Sequence, residues 1–282
     1  MRNLKSFSGN TIDFHDLVLK NKYRTKNDET YKDRVQELRA QIVEKFDEYD
    51  LLFASKELAN LVSAGFVDQD KTDLLNLYSY KSRAIQELKI EITTLENNRI
   101  LNTCQNCTIN EINSFDHFLP KEEFAEFIVN PKNLIPSCTA CNSFKTAIWK
   151  AGNSMLFLNL YLDELPNSQY LFVNITVADN IIDTEFYLDN RNCIDAPFFD
   201  VIKSHYGRLH LPERFSDNRN DTITELENLI YAYRNRLPRE EIIDAVEQKV
   251  KLDKLSFGHN YWKAILQQSL INSDIFMNRL FI

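Results

Sequence analysis

Two Cys-x-x-Cys pairs constrain this 282-residue chain more than any other feature. Cys104 and Cys107 form the first and Cys138 and Cys141 the second, with 30 residues between Cys107 and Cys138. A two-residue gap lets both thiolates of a knuckle reach one ion, and two knuckles complete a tetrahedral sulfur set. Four thiolates leave no open coordination position, so a zinc ion held this way serves structure rather than chemistry. The competing reading is two unrelated pairs of buried cysteines. The spacing, in a chain expected to sit in a reducing compartment, favours the metal. Cys193 has no such partner and is expected to be a small buried apolar side chain.

That compartment is an expectation from the opening segment and the hydropathy. The segment from Met1 to Asp13 contains no apolar stretch of the secretory kind, so a cytoplasmic protein is expected. Disulfides are rare there. No run of roughly 18 apolar residues occurs, so no membrane span is expected. The net charge is -8, which argues against a protein that coats nucleic acid by bulk positive charge. The acidity is uneven. Residues 1–100 carry 16 Lys and Arg against 17 Asp and Glu, residues 101–150 carry 4 against 5, and the remainder 13 against 19.

Residues 1–100 read as helical. Val35, Leu38, Ile42 and Phe46 recur at helical spacing, as do Ile85, Leu88, Ile92 and Leu95, and both stripes are expected to be core. Residues 101–150 lose that period and carry Cys, Asn, Pro and His at short intervals, as in a loop-rich, metal-stapled unit. Residues 151–282 are mixed, then helical. Leu171, Val173, Ile175 and Val177 alternate as one face of a strand, with Thr184–Leu188 as its hairpin partner and Asp179-Asn180 between them. Thr222 and Glu225 fit a capping box ahead of an apolar stripe, and Pro238 ends that helix or opens the next. His205 and His210 are expected in packing or surface roles, and Tyr261-Trp262 in the core.

Between the knuckles lie Asp116-His117 and then Asn133-Leu134-Ile135, and the second knuckle runs on into Asn142, Ser143, Phe144 and Lys145. This ordered combination resembles the zinc-stapled branch of the HNH endonucleases over about residues 101–150. The resemblance implies an α+β protein with a small ββα-metal core, two short strands and then a helix, embedded in mostly helical flanks. Asp116 and His117 would end the first strand, and Asn142 would sit early in the helix. Lys145, three residues on, shares a helix face with Asn142. Phe144 and Ile148 share another and are expected to pack inward. Helices of both flanks are expected around this core as one compact body.

The resemblance also implies chemistry. His117 would be the general base, and Asp116 and Asn142 would hold Mg2+ or Mn2+, ions that prefer hard oxygen donors. Asn133 would brace the loop and help orient His117. Lys145, Lys121 and Lys132 are candidates for phosphate contact. The implied substrate is DNA, with duplex as the first expectation. The long flanks resemble those of effector nucleases of bacterial anti-phage defence, with a regulatory ATPase or another defence-system subunit as partner. Two other readings stay open. One is a non-catalytic zinc-ribbon module that binds nucleic acid or protein, and the other is an inactive nuclease kept as a subunit. A mere ribbon has no reason to place Asp116-His117 and Asn142 at these offsets.

Overall fold

A computed structural model of the chain describes residues 1–22, 28–178 and 181–281. The chain divides into two compact units. The first comprises Asn3–Asn106 and Asn110–Glu164; the second comprises Leu165–Ile282 with Met1–Arg2 and Cys107–Ile109. This replaces the single body expected from the sequence.

The first unit opens with helix α1 (Thr11–Asn21), whose N-cap Asn10 accepts from the amides of Ile12 and Asp13. α2 (Tyr31–Glu37) and α3 (Arg39–Ala54) are separated at Leu38. The expected stripe survives this break: Val35, Ile42 and Phe46 are buried. α4 (Asp68–Leu75) and α5 (Arg83–Thr93) follow. Ile85, Leu88 and Ile92 line the buried face of α5 at i, i+3 and i+7, while Leu95 lies past its end, half-buried. These helices form the wall on which the cysteine-flanked segment rests. Phe46 and Tyr49 of α3 meet the ring of Phe127 at centroid distances of 6.0 and 4.9 Å.

Strand β1 (Ser114–His117) pairs antiparallel with β2 (Leu134–Ser137), with Asp116 opposite Ile135 and His117 opposite Leu134. Helix α6 (Thr139–Lys145) begins directly after β2. The local order is therefore strand, strand, helix. The two-residue strands β3 (Lys150–Ala151) and β4 (Ser154–Met155) form a small ribbon beyond it. Phe144 and Ile148, expected to pack inward, are 43% and 50% exposed. The buried side of this short helix is taken by Cys141 and Lys145.

The second unit is built on the hairpin of β5 (Leu171–Ala178) and β6 (Ile181–Leu188), in register from Leu171–Leu188 to Ala178–Ile181. The expected turn residues Asp179 and Asn180 lie outside the described residues. Helices α7 (Ala196–Arg208), α8 (Leu211–Asp217), α9 (Arg219–Tyr233), α10 (Arg239–Phe257), α11 (Trp262–Ile271) and α12 (Asp274–Leu280) surround it. α8 packs on β6 and α11 on β5. The indole of Trp262 stacks on Phe215 at 5.5 Å, so Trp262 is core, as expected. His205 is buried within α7.

Two local expectations fail here. α9 already begins at Arg219, so Thr222 is a buried interior residue and no capping box forms. Cys193 is exposed, with φ 55°, in the turn ahead of α7. The need for a left-handed turn, not apolar burial, sets its environment. No helix of the described residues is long and apolar enough to cross a membrane.

Candidate functional site

The four paired cysteines meet. Their sulfurs all lie within 4.8 Å of one another, and all four side chains are buried. Zinc bound to sulfur at about 2.3 Å needs sulfurs roughly 3.8 Å apart, so a slight contraction fits this set to one ion. Backbone amides support thiolate charge. Ile109 N–H donates to Cys107 Sγ at 3.4 Å, and Cys141 N–H donates to Cys138 Sγ at 3.4 Å. Asn110 Nδ2 adds a donor to Cys138 Sγ at 3.8 Å. The cluster therefore has the donor set, the spacing and the surrounding hydrogen bonds to hold a metal such as zinc. Among the described residues it is the one group of three or more His, Cys, Asp or Glu ligand atoms gathered this way. His205 and His210 join no such group.

Cys138 caps α6 and Cys141 lies in its first turn, so the second knuckle fixes where this helix starts. Asn142 follows directly. Its Nδ2 donates to the carbonyl of Phe115 on β1 at 3.1 Å, and among the described residues Oδ1 has no hydrogen-bond partner. Asp116 and His117 stand at the end of β1, across the same strand edge. Asp116, His117 and Asn142 line one open cavity of about 550 Å³, together with Tyr78, Tyr80 and Lys121. Neighbours on an ideal strand point to opposite faces. Here β1 ends at His117, and both residues line the cavity.

His117 is held firmly. Its Nε2 donates to the carbonyl of Ile128 at 2.9 Å, since a carbonyl can only accept. In the neutral ring that bond makes Nδ1 the acceptor nitrogen. Tyr78 meets the imidazole edge-to-face at 4.8 Å. Burial pushes the His117 pKa down to about 3, with Lys121 and Lys145 adding to the fall. The ring is therefore neutral at physiological pH, and it is a weak base that gains a proton readily only when negative charge, such as a bound phosphate, lies beside it.

Asn133 braces the loop that presents Ile128. It is fully buried, accepts from Leu119 N–H at 2.7 Å and donates to Leu119 O at 3.1 Å and Phe127 O at 3.4 Å. Its side chain ties both polar groups of one peptide residue, a bridge alanine cannot make. Asn133→Ala is expected to destabilise the protein by about 2–4 kcal/mol, because each orphaned buried backbone group costs roughly 1–3 kcal/mol. Denaturant unfolding reads this directly, and an unchanged midpoint would refute the brace.

Lys145 is placed differently from the phosphate contact expected of it. Its ammonium is buried and donates to Asp116 Oδ1 at 3.0 Å, His117 O at 2.7 Å and Phe118 O at 3.0 Å. Those three bonds use all three of its donors. Lys132 is likewise engaged, pairing with Asp50 at 2.9 Å. Lys121 remains exposed at the cavity. Burial pushes the Asp116 carboxyl up, and the Lys145 charge opposes that rise. Among the described residues Asp116 Oδ2 makes no hydrogen bond, the side chain's bond to Lys145 being through Oδ1. Asp116 and Asn142 thus each bring a hard oxygen donor to the residues lining the cavity, the donor type that Mg2+ and Mn2+ prefer.

Sequence reasoning missed Tyr78 and Tyr80, which reach the cavity from the turn before α5, and the Ile128 carbonyl. A backbone acceptor has no sequence signature. The tyrosine pair in Leu-Tyr-Ser-Tyr-Lys, between two helical stretches, was the one available hint.

Two proteins resemble the chain. Over 182 residues it is 26% identical to protein ea31 of Escherichia phage lambda, an alignment covering 60% of each protein. Over 61 residues it is 34% identical to the Septu protein PtuB of Bacillus thuringiensis, covering 21% of this chain and 23% of PtuB. The chain thus spans less than two thirds of either relative. No family model matches it. No solved structure matches it either.

Proposed function

We propose that this chain is a metal-dependent endonuclease that hydrolyses phosphodiester bonds of DNA. The observation that carries this reading is one cavity lined by Asp116, His117 and Asn142, with the imidazole fixed by the Ile128 carbonyl. The ββα order, the cysteine cluster beside it and the resemblance of residues 101–150 to HNH endonucleases support it.

In this reading His117 Nδ1 takes a proton from water, the hydroxide so formed attacks phosphorus in line as the bond to the 3′ oxygen breaks, and the departing 3′ oxygen gains a proton from solvent water. The Nε2–H bond to Ile128 keeps the correct tautomer and stabilises the imidazolium that forms. Asp116 and Asn142 would hold Mg2+ or Mn2+, which when bound supplies charge neutralisation at the phosphate and the leaving oxygen. Asn133 holds the Ile128 loop, and Lys121 at the cavity contacts a neighbouring phosphate. The cysteine cluster holds zinc and sets the start of α6, hence the position of Asn142. With a net charge of -8, the free protein binds DNA weakly and its affinity falls with salt.

The likeness to a Septu protein supports a role in anti-phage defence, with a regulatory ATPase or another defence subunit as partner. Purification from the native host should then yield a stable complex, and a chain that runs alone there speaks against such a partner. The nuclease reading is tested by incubating zinc-loaded protein with plasmid DNA. Nicking or linearisation is expected with Mg2+ or Mn2+ and none with EDTA. Intact plasmid under every metal condition, with the native partner present, would refute it.

A further inference from the structure

The Lys145 ammonium bears directly on how a metal enters the cavity. Asp116 is the one carboxylate among the three residues at the centre of the proposed site, and Lys145 lies against it, 3.0 Å from Oδ1. Both side chains are almost wholly buried, at 5% and 7% exposure, so water screens the pair little. The pair sums to zero charge wherever its proton resides. Asn142 adds an amide oxygen and no charge. Lys121 and Glu122, which also line the cavity, are of opposite charge, so a divalent ion arriving here meets oxygen donors but no net negative charge.

We infer that Lys145 is a positioning residue that makes metal binding depend on the substrate: the divalent ion and a phosphodiester anion occupy the cavity together, and neither is held well alone. The inference rests on Asp116 being a metal ligand, as in the reading above. Lys145 keeps Oδ1 engaged and leaves Oδ2 for the ion. Its bonds to the carbonyls of His117 and Phe118 hold the end of β1 against α6 at the same time. The negative charge that Lys145 removes from the site is restored by the phosphodiester. A free chain in the presence of Mg2+ then carries little bound metal until nucleic acid arrives.

The test is Mn2+ binding to the zinc-loaded full chain, followed by electron paramagnetic resonance, with and without dimethyl phosphate as a phosphodiester probe. Wild type should bind Mn2+ weakly alone and at least about tenfold more tightly with the probe, the factor a unit charge near a divalent ion is worth even at the screening of water. Lys145→Met, of similar length and uncharged, should tighten binding without the probe by a similar factor and lose most of the probe's effect. Lys145→Arg should restore the wild-type pattern. Zinc content and cooperative melting establish that each variant is folded. Should Lys145→Met fail to fold, the wild-type comparison decides alone. Equal wild-type affinity with and without the probe overturns the inference, as does a folded Lys145→Met with unchanged Mn2+ affinity. Mn2+ binding that is indifferent to Asp116→Ala in every condition overturns the metal-site reading itself, and the inference with it.

Discussion

Replacing His117 by alanine is expected to lower DNA cleavage by about 10²–10⁴-fold, the usual contribution of a positioned general base. The loss should fall on the chemical step, because the imidazole is not among the groups proposed to hold metal or phosphate. Metal dependence and zinc content should stay as in wild type. His117→Ala removes one bond to the Ile128 carbonyl and the contact with Tyr78, while Asn133 continues to brace the loop. A modest stability loss is therefore expected beside a large rate loss, and the two are separable. Single-turnover rates at saturating Mn2+, compared with thermal melting of the same sample, make that separation. A variant that unfolds without zinc loss would show the ring to be chiefly a packing element.

Cys104→Ser is expected to act in the opposite way. It removes one of four sulfurs that lie within 4.8 Å of one another and leaves the other three buried with incomplete coordination. Structural zinc is worth roughly 10–16 kcal/mol of apparent binding in small zinc domains, so even partial loss is large against ordinary protein stability. Zinc by elemental analysis should fall well below one ion per chain, and the melting temperature should drop steeply. The consequence should reach the cavity, since Cys138 and Cys141 cap and begin the helix that carries Asn142 and Lys145. Activity should fall because the site loses its shape, and chelation of wild type should reproduce the effect. A stable, zinc-free Cys104→Ser protein would remove the structural role of the cluster.

How much of this was legible in the residues depended on what kind of partner each one has. The cysteine pairs announced their own meeting, because two Cys-x-x-Cys pairs at this spacing are the usual signature of one metal site. The stripes of α3 and α5 and the alternation of β5 were legible because period alone assigns a face. The strand–strand–helix order around Asp116, His117 and Asn142 followed from the motif. Lys145 was not legible. A lysine three residues after Asn142 reads as a phosphate contact, whereas its acceptors include the carbonyls of His117 and Phe118, nearly thirty residues earlier. The Ile128 carbonyl and the turn bearing Tyr78 were hidden for the same reason. The early start of α9 and the exposed turn at Cys193 depend on backbone geometry that side-chain pattern does not report. The division into two units was hidden as well: Asp163-Glu164-Leu165-Pro166-Asn167-Ser168 marks a loop at the boundary, but nothing in the pattern assigns Met1–Arg2 and Cys107–Ile109 to the second unit.

The acidic composition also takes on a definite meaning. The central segment is nearly neutral, and its one buried carboxylate of the proposed site is already matched by Lys145. In the reading proposed above, such a cavity would have little pull on metal or phosphate separately, as expected of a nuclease restrained until substrate and cofactor coincide.

The central claim is that Asp116, His117 and Asn142 form a single hydrolytic centre. Its most direct test measures single-turnover cleavage of a DNA duplex in Mn2+ by wild type and by Asp116→Ala, His117→Ala and Asn142→Ala, each verified for zinc content. Wild type should cut, and each substitution should reduce the rate by at least about 10²-fold. Cleavage persisting at the wild-type rate in all three zinc-loaded variants would contradict the account.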